Sequence, residues 1–456
     1  MSETSHRRRR RSTAFAGPSS KGGPERVDWR SRIVLGVVPA LLFAAHLTFG
    51  ANHVAAAQWL SVVLGLLLVA ALAAPPARIG LFDLKPVWPL AVLFLITLGV
   101  AAWSLTPFTP GGPHPIWAWA DMAGSSTVNR SATILEMTKL VGLGCVFVLG
   151  CLQGARSDRA RATVDVLLAL GAVYAAISLL SFLSGGQIMA GGRLSGGFLS
   201  ANSGASVFGI LTVIGLANLL RRWRQAKGAD VMKQLGEVAV PLAYVLLFVT
   251  CVVLTASRMG VAATVVAAGV LLLWDMIENK GRRLPVLISG AVLLVVGAVL
   301  LLGGNDLLWS RFDALDRDTL VRTSIFTAHW QAFLDSPLFG YGLGTFNDVN
   351  SQIMTAENYP TLWSIRATHN LYIQWLEEAG IVGATPMFLL IGVIIAVGVW
   401  RTGKVRKGQT TARGLVAASL VVLIHGTTDY ALQTPSIAAF WAFLLGLQFA
   451  FGQSRA

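Results

Sequence analysis

Arg322-Thr323-Ser324-Ile325-Phe326-Thr327-Ala328-His329-Trp330 opens the stretch on which the reading of this chain turns. It passes Gly340-Tyr341-Gly342-Leu343-Gly344 and closes with Thr368-His369-Asn370-Leu371-Tyr372 and Glu377-Glu378-Ala379-Gly380. Nearly all of the remaining sequence is apolar run or short connector, so this stretch lies in the one long polar insert, 303–383. Asp318 is placed to cap a helix running to about Asp335, where Arg322, Phe326, His329 and Phe333 recur at helical spacing and share a face. Ser336-Pro337 stops it. Thr368 is placed to cap a second helix ending at Gly380, with Leu371, Trp375 and Ala379 as one stripe. Both helices read as half-buried, lying across the mouth of a helical bundle.

Outside the insert, composition sets the class. The 456 residues are 54% hydrophobic and 13% charged, whereas soluble domains carry about 25% charged residues. Repeated apolar runs long enough to cross a bilayer predict an all-α, polytopic integral membrane protein. Spans are expected at 33–50, 54–74, 87–105, 134–152, 163–183, 198–220, 238–256, 260–277, 284–302, 384–400, 412–430 and 435–452, twelve with soft boundaries. Residues 1–32 read as a disordered basic cytoplasmic tail. The polar lead before Ile33 is long for a secretory signal, and the apolar run after it exceeds a signal core, so a retained first span is expected. The domains are then the tail, spans one to nine over 33–302, the insert over 303–383, and spans ten to twelve with a short tail over 384–456. Cys145, Cys151 and Cys251 all fall in apolar runs, so no disulfide framework is indicated.

Charge gives the orientation. The net charge of +14 is concentrated in Arg7 to Arg11 and in connectors beside spans. That placement indicates topology and attraction to anionic membrane lipids, and argues against nucleic acid. Arg156, Arg159 and Arg161 face Asp158 in 153–162. Arg401, Lys404, Arg406 and Lys407 stand without an acid in 401–411. The insert instead has four basic residues against nine acidic ones, a net of −5. Both termini are therefore expected in the cytoplasm and the insert outside.

A few polar residues stand out as candidates for chemistry. Arg258, in Thr255-Ala256-Ser257-Arg258-Met259-Gly260, sits between two apolar runs, where an arginine needs water, a partner or an anion. It reads as an anion ligand, the alternative being an interface arginine that snorkels. Arg322 offers a planar fork suited to phosphate oxygens; the alternative is a solvated helix arginine paired with Asp318. His369 follows a helix cap, where the positive helix end favours a neutral ring able to take a proton; a structural histidine is the alternative. Arg193 and Asn202, in Gly192–Asn202, are ligand contacts or an interfacial turn. Asn370 and His329 complete the substrate-binding candidates. Gly340–Gly344 lacks the Lys-Ser/Thr of a P-loop and reads as an ordinary turn. His425 and Asp429, four apart, read as a structural hydrogen bond. No Cys/His cluster has metal-ligand spacing, and neither metal nor cofactor is implied.

Four segments together resemble the O-antigen ligase/polymerase superfamily of bacterial envelope proteins. Arg193 to Ala205 is similar to its Arg-Leu…Gly-x-Phe-x-Asn-Pro-Asn-x-x-Ala turn, though Ser200-Ala201-Asn202 replaces Asn-Pro-Asn. Thr255 to Gly260 resembles its Thr-x-Ser-Arg segment. Arg322 to Phe346 resembles its Arg…Trp…Pro…Gly-x-Gly-x-x-x-Phe segment, and His369 to Gly383 its His-Asn…Glu-x-Gly-x-x-Gly segment. The resemblance covers about residues 30–450. It implies inverting, metal-independent transfer of a glycan from a polyprenyl (undecaprenyl) diphosphate carrier to an acceptor hydroxyl, at the outer face of the bacterial inner membrane. Arg258 and Arg322 would bind the diphosphate and His369 would activate the acceptor. Ligases of the family use lipid A–core as acceptor in lipopolysaccharide biosynthesis, and polymerases extend a carrier-linked repeat. Others make exopolysaccharide or glycosylate proteins. A neighbouring gene for a chain-length regulator would favour a polymerase. The rival class is a polytopic transporter or flippase of lipid-linked glycans, against which stand the lack of a visible repeat and the gathering of polar residues in one insert.

Overall fold

A chain this apolar must satisfy its backbone internally, and helices do so within one segment. The computed structural model describes residues 29–73, 87–120, 122–185, 192–226, 228, 230–278, 290, 315–405 and 407–453, and among them every regular element is helical. In chain order these are α1 (Trp29–Leu47), α2 (Val54–Ala73), α3 (Trp88–Ser104), the short α4 (Ile116–Trp119), α5 (Arg130–Gly154), α6 (Ser157–Leu183), α7 (Ala201–Gln225), α8 (Val231–Leu254) and α9 (Arg258–Glu278). The insert contributes α10 (Leu315–Asp335) and the short α11 (Phe346–Gln352) and α12 (Tyr359–Leu362). Then come α13 (Leu371–Thr402), α14 (Gln409–His425) and α15 (Pro435–Ala450).

Seven of the described helices, α2, α5 to α9 and α13, are long and apolar enough to cross a membrane, and Leu35–Leu47, α3 and α15 are shorter apolar helices. The expected count of twelve is therefore not reached among the described residues; the expected span at 284–302 falls almost wholly outside them. Elsewhere boundaries shift outward. The connector expected over 153–162 shrinks to Ala155 and Arg156, because α5 and α6 continue with helix-compatible residues on both sides. With these helices the chain is an integral membrane protein.

α7 is the buried axis. From Ala201 to Arg221 every residue except Asn202 is buried, and α8, α9 and α14 pack along it. A second group forms around α5, flanked by α2 and α15. Lipid-like surroundings give helices little hydrophobic drive to associate, so close backbone approach matters. Gly150 and Gly446 provide it, since a Cβ at either would strike the carbonyl of Phe443 or Phe147 on the opposing helix. At the end of α7 away from Asn202, Asp275 is fully buried between Arg224 and Arg413, with Arg224 Nη1 2.8 Å and Arg413 Nη1 3.4 Å from Oδ1. This ties α7, α9 and α14 together.

The insert meets the bundle at a broken helix. α13 runs through Gly380, whose φ of 59° and ψ of −176° interrupt the helical ladder. In an unbroken helix the amides of Ile381 and Val382 would donate to the carbonyls of Glu377 and Glu378. Here they donate to Pro337 O at 2.8 Å and Leu338 O at 3.0 Å, while Glu377 O and Glu378 O accept from Tyr341 N at 3.0 Å and Gly342 N at 2.8 Å. Gly344 N donates to Glu378 Oε2 at 2.7 Å. The glycine turn thus replaces, bond for bond, what the kink gives up. Gly340 must lack a side chain because a Cβ would meet the carbonyls of Glu377 and Glu378. The second helix expected to end at Gly380 is instead the first third of α13, continuous with the tenth expected span.

Candidate active site

The start of α13 sets the geometry of His369. Asn370 Oδ1 accepts from the amides of Tyr372 at 3.0 Å and Ile373 at 3.1 Å, so Asn370 is the N-cap and not Thr368. Thr368 Oγ1 acts one step back, accepting from Asn370 N at 3.1 Å. The cap is pinned to the loop after α14: Asn370 Nδ2 donates to Thr427 O at 3.0 Å, and Leu371 N to Gly426 O at 2.8 Å. Held from both sides, His369 takes a left-handed φ of 56°, a conformation that non-glycine residues keep only when their surroundings impose it. Its ring stands edge-on to Tyr430, with centroids 4.8 Å apart.

Asp429 links His369 to the rest of the site. α14 ends at His425, so Asp429 lies beyond the helix and turns inward; its side chain is fully buried. Its Oδ1 is 3.9 Å from His369 Nδ1, within ion-pair reach and beyond hydrogen-bond distance. The same oxygen accepts from Asn202 Nδ2 at 3.4 Å. Asn202 Oδ1 in turn accepts from Arg193 Nη2 at 2.9 Å, and Arg193 Nε donates to Thr255 O at 2.7 Å. Burial raises the Asp429 carboxyl, but His369, His425 and Asn202 outweigh it and hold the group below the usual carboxylate range.

Asn202 also borders a small polar pocket with Ser257, Arg258, Arg322 and His425. Arg258 opens α9, where the helix end adds positive potential. Ala256 just before it has a φ of 47°, a second strained residue beside the site. His425 is held on both sides, with Nδ1 2.8 Å from Ser206 Oγ and Nε2 3.4 Å from Ser257 Oγ.

Six of the seven residues singled out from the sequence thus come together: Arg193, Asn202, Arg258, Arg322, His369 and Asn370. His329 does not join them. It is fully buried two turns further along α10, with Nδ1 2.8 Å from Glu377 Oε2 and Nε2 3.3 Å from Asn350 Oδ1. Its ring stacks on Phe346 at 4.7 Å. Both nitrogens are engaged in joining α10, α11 and α13, away from the polar pocket. Asp429 is the residue that sequence reasoning underweighted. Its spacing from His425 signals a shared helix face, and only the end of α14 at His425 turns it toward His369. Among the described residues, no three His, Cys, Asp or Glu side chains gather as metal ligands.

An all-helical integral membrane protein, with arginines, an amide and a carboxylate-backed histidine at one end of the bundle, is the class that fold and site define. Residues 243–388 match the family model described as O-Antigen ligase. The match supports the O-antigen ligase superfamily, the family the motifs resemble, and indicates a function of the O-antigen ligase/polymerase type. It takes in the Arg258, Arg322 and His369 segments and leaves the Arg193–Ala205 turn outside. No curated protein matches the chain.

Proposed function

We propose that the protein transfers a glycan from a polyprenyl diphosphate carrier to an acceptor hydroxyl, with inversion and without a metal ion, in the synthesis of cell-envelope polysaccharide. In this reading the insert faces the outside of the bacterial inner membrane and both termini lie in the cytoplasm. The observation that carries it is the convergence of three sequence-distant segments, around Asn202, Arg258 and Arg322, on one polar pocket, with His369 beside it through Asp429.

Arg258 and Arg322 bind the diphosphate, with Asn202 at the start of α7 and Arg193 in the loop before it supporting them. The pocket floor has room for about 20 Å³, enough for one water, so the diphosphate lies across its mouth. The acceptor oxygen attacks the anomeric carbon from the opposite side. As the new C–O bond forms, the bond from that carbon to the diphosphate oxygen breaks, and the diphosphate leaves with the electron pair. Guanidinium groups fixed in advance stabilise the charge that develops there. The acceptor's proton passes to His369 Nε2, while Asp429 beside Nδ1 favours the tautomer that leaves Nε2 able to accept it.

The test is carrier release. Purified protein given a polyprenyl diphosphate glycan and an acceptor should release polyprenyl diphosphate at a rate that chelator leaves unchanged. A strict metal requirement, or translocation of intact lipid without release, would contradict the reading.

A further inference from the structure

Behind the arginine pocket, two serines and a histidine form a short chain whose hydrogens can be placed from their partners. Ser206 lies one turn beyond Asn202 on α7 and is fully buried. Among the described residues its hydroxyl meets one partner, Nδ1 of His425 at 2.8 Å. A buried O–H without an acceptor is costly, so Ser206 donates and Nδ1 accepts. A neutral imidazole carries one ring hydrogen, which therefore sits on Nε2, the nitrogen facing Ser257. An imidazolium would strand the Ser206 hydrogen and add a third cation beside Arg258 and Arg322.

Ser257 receives the Nε2 hydrogen. Its Oγ is 3.4 Å from Nε2 and accepts a second bond from Gly260 N, the third amide of α9, at 3.3 Å. A hydroxyl oxygen has two lone pairs, and both are now occupied. The Ser257 O–H remains as a donor, and among the described residues no acceptor meets it. Ser257 is only 4% exposed, and it lines the pocket with Arg258, Arg322 and His425. The turn that carries it is fixed. Ser257 N donates to Thr255 Oγ1 at 3.3 Å, Arg193 Nε donates to Thr255 O at 2.7 Å, and Ala256 between them has its φ of 47°. A donor preset in a cleft with two guanidinium groups suits an anionic oxygen, and the floor's 20 Å³ or so admits one such atom.

We propose that Ser257 is a further catalytic residue: its O–H donates to the diphosphate oxygen that leaves the anomeric carbon, while His425 and Ser206 are positioning residues that turn the hydrogen that way. The inference rests on the functional reading above and deepens it by assigning the contact to the leaving oxygen. As the acceptor oxygen bonds to the anomeric carbon, the bond from that carbon to the diphosphate breaks and its electron pair stays on the leaving oxygen. Ser257 keeps its proton throughout, and its hydrogen bond strengthens as the charge grows; the acceptor's proton goes to His369. The contact therefore favours the transition state and the released polyprenyl diphosphate over the intact donor.

Binding of two probes to the full chain in lipid nanodiscs tests this whatever the sugar is. One is polyprenyl diphosphate, whose terminal oxygen is free. The other is its terminal methyl ester, in which that oxygen is capped as in the donor. The unaltered protein should prefer the free diphosphate. Ser257→Gly removes the hydroxyl but leaves a residue tolerated before a helix, and should cut that preference roughly tenfold, as expected for a bond to a charged group. Ser206→Ala touches neither probe; it frees the Ser257 hydrogen to turn toward Nε2 and should cut the preference about threefold. Affinity for the methyl ester should stay within about threefold in both variants, which shows that they are folded. In single turnover with a polyprenyl diphosphate glycan, Ser257→Gly should slow transfer roughly a hundredfold. Equal weakening of both probes would make Ser257 merely the cap of α9 and overturn the proposal. An unchanged preference in either variant would also overturn it. Failure of carrier release in the unaltered protein would instead defeat the functional reading, independently of the binding comparison.

Discussion

Arginine and aspartate carry different burdens at this site, and their variants should differ accordingly. Arg322→Lys keeps the charge but loses the planar fork, so bidentate grip on phosphate oxygens goes with it. Transfer should fall at least tenfold with the protein still folded; a Lys variant as active as the parent would remove Arg322 from diphosphate binding. Asp429→Asn acts through His369. It should slow transfer by roughly a hundredfold or more, in line with general-base contributions, and leave carrier-lipid affinity intact. Because the native Asp429 carboxyl is held below its usual range, its ionised form stabilises the fold above about pH 3.9, the unfolded value. That stability is lost as pH falls through the lower native value. Thermal melts between pH 3 and 7 should therefore show a smaller acid-side slope for Asp429→Asn. An unchanged slope would mean that the contacts to His369 and Asn202 contribute nothing.

At the scale of elements, the decisive unit is the glycine turn laid into the kink of α13. It fixes the angle at which the start of α13, with His369 directly before its Asn370 cap, meets the bundle. Gly380→Ala forces a side chain against the Leu338 backbone and into a conformation that is essentially glycine's alone, at a cost of about 1–3 kcal/mol from the backbone strain. A lower melting temperature and reduced transfer are expected together; an unaffected melt would show that the exchanged hydrogen bonds do not matter. Sequence patterns made the two insert helices legible, since α10 shows its expected spacing and Ser336-Pro337 ends it. They did not show that 371–380 is continuous with a membrane helix, because a glycine at that position also reads as a C-cap. Nor did they separate Arg322 from His329. Seven residues apart, the two share a face, but periodicity gives direction and not depth: one reaches the pocket and the other is enclosed by Glu377 and Asn350.

For the whole molecule, helix class and membrane character follow from apolar runs, and the motifs gathered most of the candidate site before any coordinates. The number of crossings does not follow so simply. α14, with Arg413 buried inside it, and the short apolar helices blur the length and polarity criteria that define a span. The expected orientation can be checked directly. With the native cysteines replaced, a cysteine at Glu357 should react from outside with an impermeant thiol reagent, and one at Gly408 should not. The reverse pattern would put the insert in the cytoplasm and make transfer at the outer face impossible.

The most direct test of the central claim pairs two measurements on His369→Ala, in protein confirmed as folded: affinity for polyprenyl diphosphate and the single-turnover rate of glycan transfer. The variant should bind the carrier lipid nearly as the parent does, and transfer should fall by roughly 10²–10⁴-fold. Loss of lipid binding with transfer of bound lipid hardly slowed would contradict the assignment and make His369 a binding or structural residue.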